Sequence, residues 1–274
     1  MSNQYSIFEN IRRFVGIVEY DGTSFRGFQR QPMSYTVQGV IEKALQNMIG
    51  SFVQISSAGR TDAGVHAKGQ VIAFSADVSY PTEIIKRALN ARLPKDIRII
   101  SLGNIAHDFD PRRDAVNRVY RYVFSTSSFE SVFDNRFSHY VQSISNPEKM
   151  NEAMRLFIGE HNFRNFAGGG VDPSANLTRN MSNAYVIQSN DKVELYFEAN
   201  SFIRHQVRYM AGLILRVGLS QSSVADVINF LSNDLGTIRP PMLPAKGLFM
   251  QKVIYSESIY FDSELSQSQR ILVS

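Results

Sequence analysis

The 274-residue sequence contains no cysteine. Disulfide bonds, zinc–thiolate centres, iron–sulfur clusters and cysteine nucleophiles are therefore all excluded. No apolar run approaches the ~18 residues of a membrane-spanning helix, and the first residues lack the apolar stretch of a signal peptide. We expect a soluble, cytoplasmic protein that makes no use of a membrane.

Positive charge is concentrated in two segments of a chain whose net charge is only +4. Residues 60–121 carry 11 basic and 7 acidic side chains. Residues 201–219 carry three arginines and one histidine, and no acidic residue. A groove that follows the phosphates of a nucleic acid requires such clusters. Solvated surface charge is the alternative interpretation.

The spacing of hydrophobic residues predicts strands and helices without regular βαβ alternation, which favours an α+β fold with antiparallel sheets. We expect two subdomains, residues 1–108 and 109–274. The predicted strands are 14–20, 52–57, 70–75, 97–102, 118–125, 184–188, 193–199 and 248–255. The predicted helices are 37–48, 83–90, 150–158, 203–217 and 224–231.

The side chains most capable of catalysis or ligand binding are concentrated in segment 57–70, SAGRTDAGVHAKGQ. Its glycines allow a ligand or another backbone to approach the charged side chains closely. A P-loop is excluded, because Gln70 stands where the phosphate-binding lysine must be. The five histidines are scattered along the chain, so the sequence gives no support to a metal site. The alternative for Asp62 is a turn residue whose carboxylate caps backbone amides.

A carboxylate such as that of Asp62 can act as a nucleophile or stabilise an oxocarbenium-like centre. The segment offers no second carboxylate partner, which argues against ordinary two-carboxylate glycoside hydrolysis. The absence of cysteine also excludes thiol attack on a uracil ring, and it excludes zinc nucleobase deaminases. Asp62 is therefore the leading candidate for a catalytic residue.

Seven sequence blocks occur in one order and together resemble the tRNA pseudouridine synthase A family of the bacterial type. The resemblance runs from about residue 13 to about residue 255. Two departures occur: Phe28 replaces the usual tryptophan, and Asp110-Pro111 replaces the usual His-Ala. The blocks are EYDG (19–22), GFQRQ (27–31), TVQ (36–38), AGRTDAGVHAKGQV (58–71), LNARLPKDI (89–97), RVYRY (118–122) and FIRHQVRYMAG (202–212).

The resemblance implies the pseudouridine synthase fold, in which two subdomains with largely antiparallel sheets flank a central RNA-binding cleft. It implies an isomerase that converts uridine to pseudouridine at positions 38, 39 and 40, in the anticodon arm of tRNA. It implies no cofactor and no metal, tRNA as the partner, and a homodimer.

Carried over residue by residue, the resemblance makes Asp62 the nucleophile, which either attacks the ribose or removes a ribose proton. Tyr120 would stack on the flipped uracil and serve the proton step. Arg208 would pair with Asp62 and hold it ionised. Arg60 would assist the phosphate and the flipped nucleotide, and Leu248 would form an apolar wall. A base has to leave the helical stack before an enzyme can rework it.

Two other functions remain open at this point. One is an inactive tRNA-binding or chaperone relative of the family, against which the intact GRTD motif argues. The other is a nucleosidase that acts on free nucleosides, against which the basic segments argue. Structural roles are also open for three residues: a sheet aromatic for Tyr120, a solvated guanidinium for Arg208 and a core position for Leu248.

Overall fold

The computed structural model describes residues 11–256 except 171, 173, 234 and 237. The chain divides into two compact units, Met1–Val116 with Lys252–Ser274 and Asn117–Gln251. The described residues 252–256 thus belong to the same unit as residues 11–116. The subdomains predicted from the sequence, 1–108 and 109–274, stay a prediction.

The first unit contains an antiparallel sheet in the order β4-β1-β3, and a short strand, β2, pairs with β3. Its strands are β1 (Ile11–Tyr20), β2 (Ser56–Ser57), β3 (His66–Asp77) and β4 (Ile97–Asn104), and its helices are α1 (Val37–Ile49) and α2 (Thr82–Asn90). The core side chains include Phe14, Val18, Ile41, Leu45, Ile72, Phe74 and Ile97. The predicted helix 37–48 and strand 97–102 are confirmed as α1 and β4, with small shifts at their ends.

The ends of α1 follow from local chemistry. Thr36 precedes the helix in an extended conformation, and its hydroxyl accepts a hydrogen bond from the Gly39 amide at 3.3 Å. Gly50 closes the helix in the left-handed region at φ 89°, which glycine adopts without strain. The predicted strand 52–57 is wrong over its first four residues. There the amide of Ile55 donates to the carboxylate of Glu42 at 3.1 Å instead of joining a ladder.

The second unit contains an antiparallel sheet in the order β5-β9-β8-β7, and β6 pairs with β5 in parallel. Its strands are β5 (Ala115–Ser125), β6 (His139–Tyr140), β7 (Gly159–Asn162), β8 (Thr178–Gln188), β9 (Lys192–Ala199) and β10 (Leu248–Tyr255). Its helices are α3 (Pro147–Arg155), α4 (Gln206–Gly218) and α5 (Val224–Ser232). The last residues of β10 belong to the first unit.

A hairpin joins β8 to β9, the strands that the sequence predicts at 184–188 and 193–199. Gln188 of β8 lies opposite Val193 of β9, and the amide of Ser189 donates to the carbonyl of Lys192 at 2.8 Å. A two-residue turn therefore joins the strands, as the Asn-Asp pair between alternating runs predicts.

The helix predicted to start at Ile203 begins three residues later, at Gln206. His205 precedes it in the left-handed region at φ 64°, which interrupts helical geometry. The side-chain oxygen of Gln206 accepts from the Ile203 amide at 2.8 Å and fixes the entry of the chain into α4. The apolar spacing alone does not reveal this break.

Both units combine antiparallel sheets with helices, so the α+β prediction is confirmed. The central cleft stays a prediction. Within the described part of the chain, no helix has the length and apolarity needed to cross a membrane.

Candidate active site

Asp62 lies in the loop that joins β2 to β3 and begins a tight turn. The amide of Val65 donates to the Asp62 carbonyl at 3.1 Å, and Gly64 takes φ 79° inside the turn. A positive φ at this position favours glycine. Arg60 is exposed, Thr61 is buried and Asp62 is half-buried, so the turn carries the carboxylate to the edge of the unit.

The base of this loop is closed by hydrogen bonds between its two ends. The Ala58 amide donates to the Val71 carbonyl at 2.9 Å. The fully buried side chain of Gln70 donates to the Gly59 carbonyl at 2.8 Å. Gln70, which excluded a P-loop in the sequence, therefore has a structural role that the sequence did not predict.

The segment around Gly27 supports the loop from one side. The amide of Phe28 donates to the Thr61 carbonyl at 3.0 Å, and the amide of Gly64 donates to the Phe25 carbonyl at 3.3 Å. A methyl group at Gly27 would lie 2.8 Å from the Thr61 oxygen, and Gly27 has φ 91°. A side chain here would displace the loop.

The EYDG segment supports the other end of the turn. A methyl group at Gly22 would overlap the carbonyl oxygen of Val65. The Gly22 amide donates to Nδ1 of His66 at 3.0 Å, and His66 is 1% exposed. The same nitrogen lies 3.2 Å from Oδ1 of Asp21, and these contacts give the buried imidazole a structural role.

Tyr20, the last residue of β1, holds the residue next to Asp62. Its hydroxyl and Oγ1 of Thr61 form a buried hydrogen bond of 2.7 Å. Burial raises the pKa of Tyr20 far above its usual value, so the hydroxyl stays protonated at neutral pH. Three sequence blocks, EYDG, GFQRQ and GRTD, thus meet at one loop. The glycines at 22 and 27 are the only local signal of this contact.

Tyr120 lies on β5 opposite Phe197 of β9. The ring of Tyr120 packs edge to face against the ring of Phe202, with centroids 5.0 Å apart and planes at 79°. Tyr120 is 8% exposed, so most of its ring is shielded from solvent.

Arg208 lies in the first turn of α4 and is half-buried. Its Nε donates to the Leu243 carbonyl at 2.7 Å, and its own carbonyl accepts from the Leu243 amide at 3.3 Å. A methyl group at Gly212, one helical turn on, would overlap the Pro241 carbonyl oxygen. The segment 241–243 therefore packs directly against α4 and fixes part of the guanidinium.

Leu248 begins β10 and is 5% exposed. The preceding Gly247 packs against the ring of Tyr122, where a methyl group would lie 2.8 Å from two ring carbons. The Tyr122 hydroxyl donates to the Pro244 carbonyl at 2.8 Å. Burial raises the pKa of Tyr122, which keeps this donor protonated. Leu248 therefore extends from a rigid segment.

Some cations of the basic segments are engaged within their own unit. Arg121 pairs with Glu194 at 2.9 Å and lies over the ring of Phe249 at 4.9 Å. Arg113 pairs with Asp114 at 2.7 Å, and this contact holds the pKa of that carboxyl below its usual value. Arg204 is exposed, and its guanidinium donates to the Gly169 carbonyl at 3.5 Å.

Asp110, which departs from the usual family pattern, has a local structural role. Its carboxylate accepts from the amides of Arg112 and Arg113, both at 2.8 Å, and so caps the turn that precedes β5. This role requires a short side chain with an acceptor.

The candidate residues thus occupy two places. Arg60 and Asp62 share one loop of the first unit, whereas Tyr120, Arg208 and Leu248 belong to the second unit. Among the residues that the structure describes, no three His, Asp or Glu side chains are grouped so that they could hold a metal ion.

A family model described as tRNA pseudouridine synthase matches residues 17–112 and 153–256. A tRNA pseudouridine synthase A of Pseudothermotoga lettingae is 36% identical over 89% of this chain and 99% of its own. One of Geobacillus kaustophilus is 36% identical over 90% and 95%, and one of Clostridium botulinum is 32% identical over 87% and 98%. The chain belongs to the tRNA pseudouridine synthase family, which confirms the resemblance found in the sequence. Pseudouridine synthases are isomerases, so the chain is an isomerase.

Among solved structures, a Cbf5-Nop10-Gar1 complex is similar with a TM-score of 0.37 and 11% identity. The match covers 88% of this chain and 50% of that chain. A similarity this low supports no conclusion about this protein.

Proposed function

We propose that this enzyme converts uridine to pseudouridine in tRNA, at positions 38, 39 and 40 of the anticodon arm. Family membership supports the tRNA substrate, and the seven sequence blocks support the positions. The observation that carries the proposal is the loop of Asp62, whose backbone is fixed by EYDG on one side and by Phe25–Phe28 on the other. A loop fixed in this way holds a reacting carboxylate in one geometry, which is what positioning for catalysis requires.

The reaction rearranges atoms within one nucleotide and needs no co-reactant. The bond from the ring nitrogen to the anomeric carbon breaks, the uracil turns, and its carbon 5 bonds to the same ribose carbon. Carbon 5 loses a proton and the ring nitrogen gains one, so the product is an isomer of the substrate. In this proposal Asp62 starts the reaction, either by attack on the ribose or by removal of a ribose proton.

The other candidates have supporting roles in the proposal. Tyr120 stacks on the flipped uracil and serves the proton step, and Leu248 forms an apolar wall. Arg208 pairs with Asp62 and keeps it ionised, and its Nε bond to Leu243 limits the positions that its guanidinium can take. Arg60, exposed and two residues before Asp62, contacts the phosphate beside the flipped nucleotide.

Recognition of the tRNA is expected to depend on shape and backbone. A-form RNA presents phosphates and 2′-hydroxyls more readily than base edges. Contacts to the backbone do not specify a sequence, which suits an enzyme that acts on several neighbouring uridines. We place this activity in the cytoplasm.

We also propose that the enzyme is a homodimer. The family resemblance supports this, as does an exposed apolar loop in the second unit. Phe129, Val132 and Phe133 of this loop are 69%, 76% and 88% exposed. Apolar side chains grouped at a surface are typical of protein interfaces. Light scattering at micromolar concentration is expected to give twice the monomer mass, and a monomer with full activity would contradict the proposal.

A single-turnover assay with a tRNA transcript tests the activity. Excess enzyme is mixed with radiolabelled tRNA, and the nucleosides are separated after digestion. Conversion of uridine to pseudouridine supports the proposal. Tight binding without product would instead indicate an inactive tRNA-binding relative, and release of free uracil would indicate a nucleosidase.

A further inference from the structure

Tyr35 presents an aromatic ring to solvent on a rigid support. Its ring stacks on that of Phe25, with centroids 4.8 Å apart and planes at only 13°. Phe25 is 2% exposed, whereas Tyr35 is 52% exposed. One face of the tyrosine is therefore covered by a core residue. A ring fixed in this way loses little conformational entropy when a ligand stacks on its other face.

The same stack is tied to the loop of Asp62 through the backbone. The amide of Arg26 donates to the Tyr35 carbonyl at 2.9 Å, which closes the segment 26–35. The Phe25 carbonyl accepts from the amide of Gly64, two residues after Asp62. The exposed ring thus belongs to the segment that supports the candidate catalytic loop.

Two arginines lie in the segment 26–35 that carries the ring, Arg26 and Arg30. Arg26 is exposed. The guanidinium of Arg30 lies over the ring of Phe52 at 5.1 Å, and its Nε lies 3.4 Å from the carboxylate of Glu42. Glu42 is 2% exposed while the Arg30 side chain is 52% exposed, so a buried anion holds the cation at the surface. The charge of Arg30 remains accessible to a phosphate.

We propose that Tyr35 is a stacking platform for a base of the tRNA that neighbours the target uridine, with Arg26 and Arg30 on the adjoining phosphates. The inference rests on the proposed function, because it assigns part of the same RNA. An aromatic face beside cationic side chains is the arrangement that binds single-stranded nucleotides with little regard to sequence. A flipped uridine leaves its neighbours partly unstacked, and Tyr35 would replace one lost stacking partner.

Three variants test the platform by their affinity for a synthetic anticodon stem-loop. Tyr35→Ala is expected to weaken binding about five-fold to 150-fold, the range that loss of one base stack of about 1–3 kcal/mol gives. Tyr35→Phe keeps the ring and should bind like the native enzyme. Tyr80→Ala is the matched control, since Tyr80 is 64% exposed in the same unit and its hydrogen bond with Arg12 uses the backbone carbonyl, which alanine keeps. If Tyr35→Ala binds as tightly as Tyr80→Ala, the inference is wrong.

A second experiment separates stacking from a structural effect of the substitution. Stem-loops with a single abasic nucleotide at each loop position are bound to the native enzyme and to Tyr35→Ala. At the position of the base that stacks on Tyr35, the abasic change should weaken RNA binding by the native enzyme. It should not weaken RNA binding by Tyr35→Ala any further. Additive losses at every position would overturn the inference.

The two proposals can fail separately. Affinity measures the stacking contact, whereas conversion of uridine in tRNA by the native enzyme measures the proposed function. The native enzyme could make pseudouridine while the losses of affinity from Tyr35→Ala and from the abasic changes are additive at every position. That result would overturn only the role of Tyr35. Absence of product from the native enzyme would overturn the proposed function, and the abasic series would still decide whether Tyr35 stacks on RNA.

Discussion

The hydroxyl of Tyr20 lies 2.7 Å from Oγ1 of Thr61, and both side chains are buried. Tyr20 ends the central strand of the first sheet, and Thr61 immediately precedes Asp62. The strand therefore fixes the candidate catalytic loop through a side-chain contact as well as through the backbone. This relationship links the core of the unit to the position of one carboxylate.

Removal of this contact should affect both stability and rate. Tyr20→Phe leaves the Thr61 hydroxyl buried without its tyrosine partner, which costs about 1–2 kcal/mol of unfolding free energy. Because the loop gains freedom, we expect a lower single-turnover rate with little change in tRNA affinity. Urea denaturation measures the stability, the single-turnover assay measures the rate, and filter binding measures the tRNA affinity. A variant with native stability and native rate would show that the contact does not position the loop.

Gly27 and Gly50 form a matched pair for testing the support of the loop. Their φ angles are 91° and 89°, so alanine introduces similar backbone strain at both. At Gly27 the new methyl group meets the Thr61 carbonyl, whereas at Gly50 no atom of the described residues lies within 4 Å. Gly27→Ala should therefore lower the single-turnover rate at least ten-fold. Gly50→Ala should lose only about 1 kcal/mol of stability. Equal rates for the two variants would contradict the assigned role of Gly27.

The salt dependence of binding should distinguish Arg204 from Arg113. Arg204→Ala is expected to weaken tRNA binding and to lower the slope of log affinity against log salt by about one unit. Arg113→Ala should change the slope less, because Arg113 is already paired with Asp114. Titrations at several salt concentrations measure both slopes. A larger change for Arg113 would show that this pair opens on RNA.

Arg208→Ala should affect the chemical step more than binding. The proposal pairs Arg208 with Asp62, so its loss leaves the carboxylate without that cation. The substitution also removes the bond from Nε to Leu243, which costs about 1 kcal/mol of stability. We expect a severe loss of single-turnover rate with nearly native tRNA affinity. Loss of affinity and salt slope at an unchanged rate would make Arg208 a phosphate contact.

Local chemistry explains the parts of the fold that the sequence predicts well. Thr36 and Gly50 mark the two ends of α1 because a cap and a left-handed closing residue act within one turn. Asn190-Asp191 predicts its hairpin for a similar reason. Asp62 also stands out from its own segment, where small residues surround several charges.

Long-range contacts explain what the sequence did not predict. The prediction of a strand over 52–55 is wrong because the Ile55 amide donates to the Glu42 carboxylate instead of to a neighbouring strand. The spacing of hydrophobic residues does not reveal such a side-chain acceptor. Gly22 and Gly27 also do not by themselves predict contact with the loop of Asp62, since more than 30 residues separate them from it along the chain. Only the folded backbone brings these glycines to the candidate site.

The most direct test is a nucleotide-resolution map of pseudouridine in one tRNA transcript with uridine at positions 38, 39 and 40. The transcript is incubated with the native enzyme or with Asp62→Asn, which preserves the size of the side chain. We predict pseudouridine at these positions with the native enzyme, and none above background with the variant despite comparable tRNA binding. A variant rate within ten-fold of native, about 1.4 kcal/mol in the barrier, or modification confined to other positions, would contradict the account.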